Sequence, residues 1–287
     1  MSFAAVIPQL WTARLLENLN NEHVYAMLHN NDYTGEISNR GDTVRISSIG
    51  RVSEAAYTRN STDITLETLD WTTQTLQVTE DRYFGFTVDD ADEIQAAVNG
   101  MDAAMGEAAF ALADRADTFA GEGLRDGTAT ANRIGAVVIG TGVSDDNPFE
   151  VIVDLGVKLD ENNVPRNGRW VVVSPEYYGV MVKDPRKSSF GTGGNLDTYK
   201  NGDVGLMVDG MKVYKSNNVP AGSSNSSAEA IIAGHSIGAT WAEQIPLKSF
   251  EIFRPEDRFE DAVKGRYLYG RKSTRATAFA FAEATYS

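Results

Sequence analysis

The fold is decided where the hydrophobic period changes, in residues 74–123, which read QTLQVTEDRYFGFTVDDADEIQAAVNGMDAAMGEAAFALADRADTFAGEG. Up to residue 88, apolar and polar residues alternate, which predicts β-strands. From Asp89, apolar residues recur at helical spacing for roughly thirty residues, and the pattern ends at Gly121 and Gly123. Such a helix far exceeds the mean length of ~11–12 residues, so we expect it to span most of a domain.

The residues before this stretch predict hairpins that bury little. Residues 32–88 contain several short alternating runs that are rich in Thr, Ser and Gln on both faces and are separated by polar turns. An isolated hairpin is only marginally stable in water, so a long ribbon of this composition needs another surface to cover it. Residues 8–28 show helical spacing behind Pro8 and predict one or two short amphipathic helices.

Residues 124–246 predict an α/β unit. Asn147 followed by Pro148 favours a helix start, because Asn caps the first turn and Pro fits its first position. Residues 169–173 form an apolar run typical of a buried strand, and Ser174-Pro175 predicts a further short helix. The Asp209-Gly210 pair predicts a tight hairpin turn. Residues 228–233 read as another strand.

The charge balance excludes several classes of protein. The 287 residues hold 26 Lys plus Arg against 40 Asp plus Glu, a net charge of -14, and no Cys. The missing basic patch argues against a protein that grips nucleic acid, and the missing Cys excludes a disulfide framework. No apolar stretch reaches the ~18 residues needed to span a membrane. Three scattered His make a zinc site improbable.

One motif suggests an enzyme. Residues 234–238, GHSIG, follow a predicted strand and match the G-x-S-x-G nucleophile elbow of serine hydrolases, with Ser236 as nucleophile. In that class the base His follows the Ser along the chain, but no His occurs after His235. The alternative interpretation is a glycine-bounded turn between two strands, and we favour it. We expect no catalytic, cofactor-binding or metal site.

Taken together, the order of elements resembles the major capsid proteins of tailed bacteriophages over essentially the whole chain. The resemblance is carried by short segments in the N-terminal third, the centre and the C-terminal part. They are IPQLW with RLLENL (residues 7–11 and 14–19), DYTGEI (32–37), GDTVRI (41–46), VDLGVKLD (153–160), VP with GRWVVV (164–165 and 168–173), and RPE with Phe259 (254–256).

This resemblance implies an α+β capsid fold with a long E-loop β-hairpin, a long spine helix and a central mixed α/β A-domain. The implied division of the chain has five parts. They are an N-terminal arm (1–31), the E-loop region (32–88), the P-domain spine helix (89–123), the A-domain (124–246) and the C-terminal strands of the P-domain (247–287).

The resemblance also implies function and partners. The chain would self-assemble through hexameric and pentameric capsomers into an icosahedral shell around double-stranded DNA, which it encloses without sequence-specific binding. Expected partners are a separate scaffolding protein, a portal protein and a decoration protein, with assembly in the host bacterial cytoplasm and no membrane. The alternatives are an encapsulin-like nanocompartment shell and, more remotely, the Ser236 hydrolase. Because residues 32–88 contain no Lys, covalent cross-linking through an E-loop Lys is not expected.

Charge suggests which stretches meet between subunits. Residues 32–90 carry a net charge of -6, whereas residues 248–275 carry +3, and complementary charge fixes the register of an interface. We therefore expect these stretches to meet between subunits, and reversing Arg258, Lys264 and Arg266 to Glu should impair assembly without unfolding the subunit. The full set of candidate contact residues is Trp11, Arg40, Arg45, Arg51, Glu54, Arg59, Asp63, Glu67, Asp70, Trp71, Arg254, Arg258, Lys264 and Arg266.

Overall fold

The computed structural model describes residues 24–32, 43–49, 52–59, 66–89, 100–142, 144–184, 207–245, 250–256 and 260–287. Within these ranges the chain forms three α-helices and twelve strands in three sheets. The helices are α1 (Gly100–Gly127), α2 (Pro148–Glu161) and α3 (Pro175–Lys183). The strands are β1 (Thr43–Ile49), β2 (Trp71–Gln77), β3 (Glu80–Asp89), β4 (Arg133–Ile139), β5 (Arg169–Val173), β6 (Met207–Val208), β7 (Met211–Lys215), β8 (Glu229–His235), β9 (Ala239–Ile245), β10 (Phe250–Phe253), β11 (Glu260–Ser273) and β12 (Phe279–Tyr286).

A six-stranded mixed sheet forms the centre of the protein, in the order β4-β12-β8-β5-β7-β6. Helices α2 and α3 pack on one face, where Leu155 and Met181 are fully buried. The other face, which includes Trp170 and Phe281, packs in the same core as α1. Because both faces are covered, the central strands β5, β8 and β12 are buried along most of their length rather than at alternate residues.

The second sheet is built around the fourteen-residue strand β11. Strand β3 pairs with one edge of β11, while β10 and β9 pair with successive parts of its other edge. Helix α1 packs on the inner face of this sheet. There Trp241 of β9 stacks on Tyr269 of β11 at a centroid distance of 5.0 Å, and Phe119 of α1 meets Tyr269 edge-on at 5.6 Å.

The third sheet is an antiparallel hairpin of β1 and β2, which confirms the hairpin predicted from residues 32–88. Its register runs from Thr43 opposite Gln77 to Ile49 opposite Trp71. One part of the hairpin is buried within the chain, since Val44, Ile46 and Leu76 form a small core with Ala242 of β9. The prediction was that such hairpins bury little by themselves and need another surface; at its base this hairpin finds part of that surface in β9 of the same chain.

Helix α1 differs from the predicted spine helix at both ends. Asp89 still belongs to β3, residues 90–99 lie outside the described part, and the helix continues to Gly127. Gly121 and Gly123 do not end the helix but lie inside it. Side chains from other parts of the chain pack against them so closely that a larger residue would not fit. A Cβ atom at Gly121 would lie 3.1 Å from the Tyr25 ring, and one at Gly123 would lie 2.3 Å from Cδ of Arg271.

Several local predictions are confirmed. The Asn147 side chain accepts a hydrogen bond from the backbone N–H of Phe149 and caps α2. Ser174 caps α3 in the same way by accepting from the N–H of Tyr177. In the turn between β6 and β7, Asp209 and Gly210 both have positive φ, as a type I′ turn requires. Of the amphipathic helix expected over residues 8–28, the described part contains a single 3₁₀ turn, Ala26–Leu28.

The predicted boundary at residue 246 does not follow the sheets. Strand β12 was assigned to the P-domain, but it lies inside the six-stranded sheet between β4 and β8. Conversely, β9 was assigned to the A-domain, but it pairs with β11. Sheet membership depends on pairing between residues far apart in the chain, which the order of elements alone does not specify.

Candidate functional site

The outer part of the hairpin exposes apolar side chains. We define the outer ribbon as residues 52–59 and 66–71, all of which are exposed. Leu66 is 89% exposed, Tyr57 65% and Trp71 64%. Contiguous exposed apolar surface on a folded protein marks an interaction site. The outer ribbon is therefore the first candidate for contact with another molecule.

The carboxylate of Glu67 links the two segments of the outer ribbon. Glu67 accepts a hydrogen bond from the backbone N–H of Ser53 at 3.1 Å and a second one from the Ser53 hydroxyl. These hydrogen bonds hold the pKa of Glu67 below its ordinary value. Of the other predicted contact residues, the structure places Arg45 on β1 and Glu54, Arg59 and Asp70 on the ribbon, all exposed. The remaining candidates of the N-terminal half, Trp11, Arg40, Arg51 and Asp63, lie outside the described residues, as does Arg258.

A second candidate surface is the face of the β11 sheet that points away from α1. We call it the outer sheet face; its members are Asp81 and Tyr83 of β3, Glu251 and Phe253 of β10, and Lys264 and Arg266 of β11. Tyr83 is 83% exposed and Phe253 is 40% exposed. Tyrosine, arginine and other aromatic residues are enriched in protein interfaces. Sequence reasoning missed Tyr83, although its alternation with the inward-packed Phe84 and Phe86 could have revealed it.

The charges of the outer sheet face are paired within the chain. Arg266 binds Asp81 through two hydrogen bonds, with Nε 2.7 Å from Oδ1, and Arg266 holds the pKa of Asp81 below its ordinary value. Lys264 lies 2.9 Å from Glu251, whereas Arg254 lies 3.7 Å from Asp261. Arg266 and Asp81 thus pair within one chain, because β3 and β11 are neighbours in one sheet. That the acidic and basic stretches also meet between subunits stays a prediction.

A groove lies at the base of the hairpin. This base groove has a volume of about 660 Å³ and is open to solvent. It is lined by four consecutive residues of β1 (46–49), by Gln74 of β2, and by residues of other elements, namely Asn30, Ile237, Thr240, Thr274 and Arg275. Gln74 donates a hydrogen bond to the backbone oxygen of Thr274 at 3.0 Å, which holds the hairpin against the end of β11.

The GHSIG segment joins two strands. Residues Ser236–Gly238 form one 3₁₀ turn between β8 and β9, whereas a nucleophile elbow joins a strand to a helix. Nδ1 of His235 accepts a hydrogen bond from the N–H of Ile237, so Nε2 donates to the backbone oxygen of Asn167 at 2.8 Å. Both ring nitrogens are thus engaged by backbone groups. The interpretation of GHSIG as a glycine-bounded turn is confirmed.

The two glycines of this segment have a packing role. A Cβ atom at Gly234 would lie 2.4 Å from Cδ1 of Phe279, and one at Gly238 would lie 2.5 Å from its Cζ. Only glycine allows the Phe279 ring to pack this close to both ends of the turn. The two glycines that create the match to the G-x-S-x-G motif are therefore explained by their packing against Phe279.

Two buried polar residues join the N-terminal segment to the rest of the protein. Asp117 of α1 accepts hydrogen bonds from the N–H groups of Val24 and Tyr25 at 2.9 and 2.6 Å. Burial raises the pKa of Asp117. Asp117 is 1% exposed, so this carboxylate of α1 faces the interior.

The second of these residues is His29. Its Nδ1 lies 2.6 Å from the backbone oxygen of Tyr25, and its ring meets Trp241 edge-on. Burial lowers the pKa of His29 to about 4. Asn30 then forms two backbone hydrogen bonds with β9, one to Ala239 and one from Trp241.

The described residues contain no cluster of three or more His, Asp or Glu side chains able to hold a metal ion. None of the described helices has the length and apolar character needed to cross a bilayer.

Comparison with known proteins gives consistent matches. A family model described as phage capsid protein matches residues 72–280. A chain of Mycobacterium phage Che8 superposes with a TM-score of 0.74 at 26% identity, covering 91% of this chain and 90% of that chain. The capsid of Cyanophage P-SCSP1u superposes with a TM-score of 0.68 at 17% identity, covering 86% of this chain and 85% of that chain. The virus-like particle from Pyrococcus furiosus superposes with a TM-score of 0.59 at 12% identity, covering 96% of this chain and 98% of that chain. No curated protein matches the sequence.

Proposed function

This chain belongs to the phage capsid protein family, and we propose that it self-assembles into the icosahedral shell that encloses the double-stranded DNA genome of a tailed bacteriophage. It is a major capsid protein, a structural component of the virion. The fold is the mixed helix-and-strand fold of tailed-phage capsids.

The observation that carries self-assembly is the outer ribbon. Its apolar side chains, Leu66, Tyr57 and Trp71 among them, are exposed among the described residues. A soluble chain that remained a monomer would leave this surface in water at a cost of about 25 cal/mol for each Å². The outer sheet face of a neighbouring subunit, with Tyr83 and Phe253, offers a surface of matching character. The inter-subunit roles of Glu54, Arg59 and Asp70 belong to this proposal.

The proposal includes the following partners and setting. Copies of the chain form hexameric and pentameric capsomers in the host bacterial cytoplasm, guided by a separate scaffolding protein and joined by a portal protein and a decoration protein. The net charge of -14 supports enclosure of DNA without gripping it, because a protein that binds phosphates tightly presents clustered Lys and Arg.

The proposed role is structural, without catalysis. It is supported by the engagement of both His235 ring nitrogens with backbone groups, which leaves neither to take a proton from Ser236. An ester-hydrolysis assay of the protein and of its Ser236→Ala variant tests this point. Activity that the substitution abolishes would contradict it.

Electron microscopy of the purified protein tests the proposal. We expect closed shells from the unmodified chain and from Val157→Asp, since Val157 is an exposed apolar residue of α2 outside the ribbon. Leu66→Asp and Trp71→Asp should stay unassembled, because each would bury a charge in the proposed contact between the outer ribbon and a neighbouring subunit. Persistent monomers of the unmodified chain under every assembly condition would refute the shell function. Shells that contain protein cargo instead of DNA would favour an encapsulin-like nanocompartment.

A further inference from the structure

The turn between α2 and β5 contains an Asn-Gly pair, Asn167-Gly168, and both residues are exposed to solvent. In such a pair the backbone nitrogen of the glycine can attack the side-chain amide of the asparagine, because glycine has no side chain to obstruct the approach. The product is a five-membered succinimide ring. An exposed Asn-Gly turn is therefore a place where a chain can modify itself without an enzyme.

The fold requires glycine at position 168 for two reasons. Gly168 has a φ of 85°, a conformation that residues with a Cβ atom rarely adopt. A Cβ atom at this position would also lie 3.2 Å from Nε2 of His235, which is tighter than ordinary van der Waals contact. The residue that favours the reaction is thus fixed by the backbone of the turn and by its contact with β8.

The reacting peptide group of the turn already accepts a hydrogen bond. Nε2 of His235 donates to the backbone oxygen of Asn167 at 2.8 Å. The attack requires the Gly168 N–H to lose its proton, which places negative charge on that same oxygen through amide resonance. A hydrogen bond to an ionised acceptor is stronger than one to a neutral acceptor, so His235 stabilises the anion more than the neutral peptide. The distance lies within the range of about 2.7–3.1 Å over which fixed donors stabilise an oxyanion.

The turn is anchored by Arg169, which is 4% exposed. Its Nε donates to the backbone oxygen of Pro165 at 3.0 Å, and its Nη2 donates to that of Val164 at 2.6 Å. Arg169 also lies opposite His235 where β5 pairs with β8. Hydrogen bonds therefore hold both the backbone of the turn and the donor, while Asn167 itself lies at the surface.

We propose that Asn167 is a site of spontaneous deamidation whose rate is raised by the hydrogen bond from His235. The Gly168 nitrogen, after losing its proton to hydroxide, forms a bond to Cγ of Asn167. The Cγ–Nδ2 bond breaks and ammonia leaves, taking its third hydrogen from water and regenerating the hydroxide. Water then opens the succinimide at either of its two carbonyls and leaves aspartate or isoaspartate at position 167.

Either product changes the subunit. One negative charge is added to a chain whose net charge is -14. Isoaspartate also adds a methylene group to the backbone in the turn before β5. It converts the former main-chain carbonyl of Asn167, the acceptor of the His235 hydrogen bond, into a carboxylate. The proposal does not depend on the shell function, because the turn and its donor belong to one subunit.

Peptide mapping of the purified full chain tests the site. Proteolysis at glutamates under mildly acidic conditions releases residues 162–176, which contain three asparagines. After incubation at mildly alkaline pH, mass spectrometry should show replacement of NH₂ by OH at position 167, and a protein isoaspartyl methyltransferase should label the same peptide. Asn162 is the internal control and should stay unmodified, because its Nδ2 donates to oxygens of Asn132 and Lys158.

Two variants separate the site from its donor. Asn167→Gln keeps a side-chain amide but has to close a larger ring, so it should show no modification on the same time scale. His235→Thr removes the donor to Asn167, while its hydroxyl can still accept the N–H of Ile237. The folded His235→Thr variant should deamidate about fivefold more slowly, the factor that corresponds to a hydrogen bond of about 1 kcal/mol. In urea, where the turn is unfolded, its rate should equal that of the unmodified chain.

Hydrogen exchange distinguishes the effect of the donor from a loosened turn. Base-catalysed exchange of the Gly168 N–H passes through the same anion as the attack. It should therefore slow in His235→Thr by the same factor as deamidation. Faster exchange in this variant would show that the substitution only loosens the turn, and it would overturn the role of His235.

The outcomes decide the two parts of the proposal separately. A synthetic peptide of residues 162–176 that deamidates while the folded chain stays unmodified at position 167 would overturn the site. Equal deamidation rates for the folded unmodified chain and folded His235→Thr would overturn the contribution of the hydrogen bond. Mapping of the unmodified chain needs no variant, so it tests the site even where His235→Thr does not fold.

Discussion

Acidification should destabilise the subunit through His29. This ring is buried against Trp241, and its Nδ1–H donates to the backbone oxygen of Tyr25. Burial lowers the pKa of His29 from 6.5 to about 4, with the nearby Arg271 guanidinium acting in the same direction and the hydrogen bond to Tyr25 opposing it. The folded protein thus favours the neutral ring, whereas the unfolded chain takes up a proton at ordinary pH values.

The sign and the size follow from linkage. Because the folded pKa is depressed, the contribution of His29 to stability is fully present above pH 6.5 and is lost as the pH falls towards 4. One pH unit of difference corresponds to about 1.4 kcal/mol, so the full effect is about 3 kcal/mol. That is a large share of the ~5–15 kcal/mol that stabilises a typical domain.

Urea unfolding of the unassembled protein between pH 7 and pH 4 measures this effect, with tryptophan fluorescence as the probe. The unmodified chain should lose about 3 kcal/mol more than His29→Gln over this range, because Gln can donate to the Tyr25 oxygen but does not titrate. Equal losses for the unmodified chain and His29→Gln would refute the reasoning.

Three further predictions concern other buried or paired groups. Asp117→Ala removes the acceptor of two backbone N–H groups and should lower the free energy of unfolding in urea by about 3 kcal/mol. Asp117→Asn keeps an acceptor oxygen and should lower it clearly less; equal losses would contradict this role. Gly238→Ala should lower the free energy of unfolding by about 1–3 kcal/mol through overpacking against Phe279, while the neighbouring Ser236→Ala should change it by less than about 0.5 kcal/mol. A larger loss for Ser236→Ala than for Gly238→Ala would show that the turn is not packed as described. Arg266→Glu should lower stability only slightly, since its bridge to Asp81 is half exposed, and Asp81→Arg in the same chain should recover the loss. A large loss that is not recovered would contradict a surface pair.

Local features of the fold were predictable because their causes lie within a few residues. The cap at Asn147 and the Asp209-Gly210 turn depend on side-chain chemistry and backbone conformation at adjacent positions. The hairpin of residues 32–88 was likewise predictable from its period. The predicted first residue of the helix, Asp89, belongs instead to β3, because its backbone continues the pairing of β3 with β11.

The candidate site was predictable only in part. Sequence reasoning found the exposed ribbon residues Glu67 and Trp71, but it did not predict that Arg266 pairs with Asp81, a carboxylate 185 residues away in the same chain. The base groove was missed because its lining comes from several elements that become neighbours only after folding.

The sequence by itself determined the periods, the caps, the tight turns and the excess of negative charge, because each of these is a property of neighbouring residues or of composition. Only the tertiary structure decided that β12 enters the central sheet, that Asp117 and His29 are buried, and that the glycines of GHSIG make room for Phe279. These outcomes depend on which distant segments pack together. Burial of a polar group or close approach to a glycine is decided by the partner that arrives, and neighbouring residues do not specify that partner.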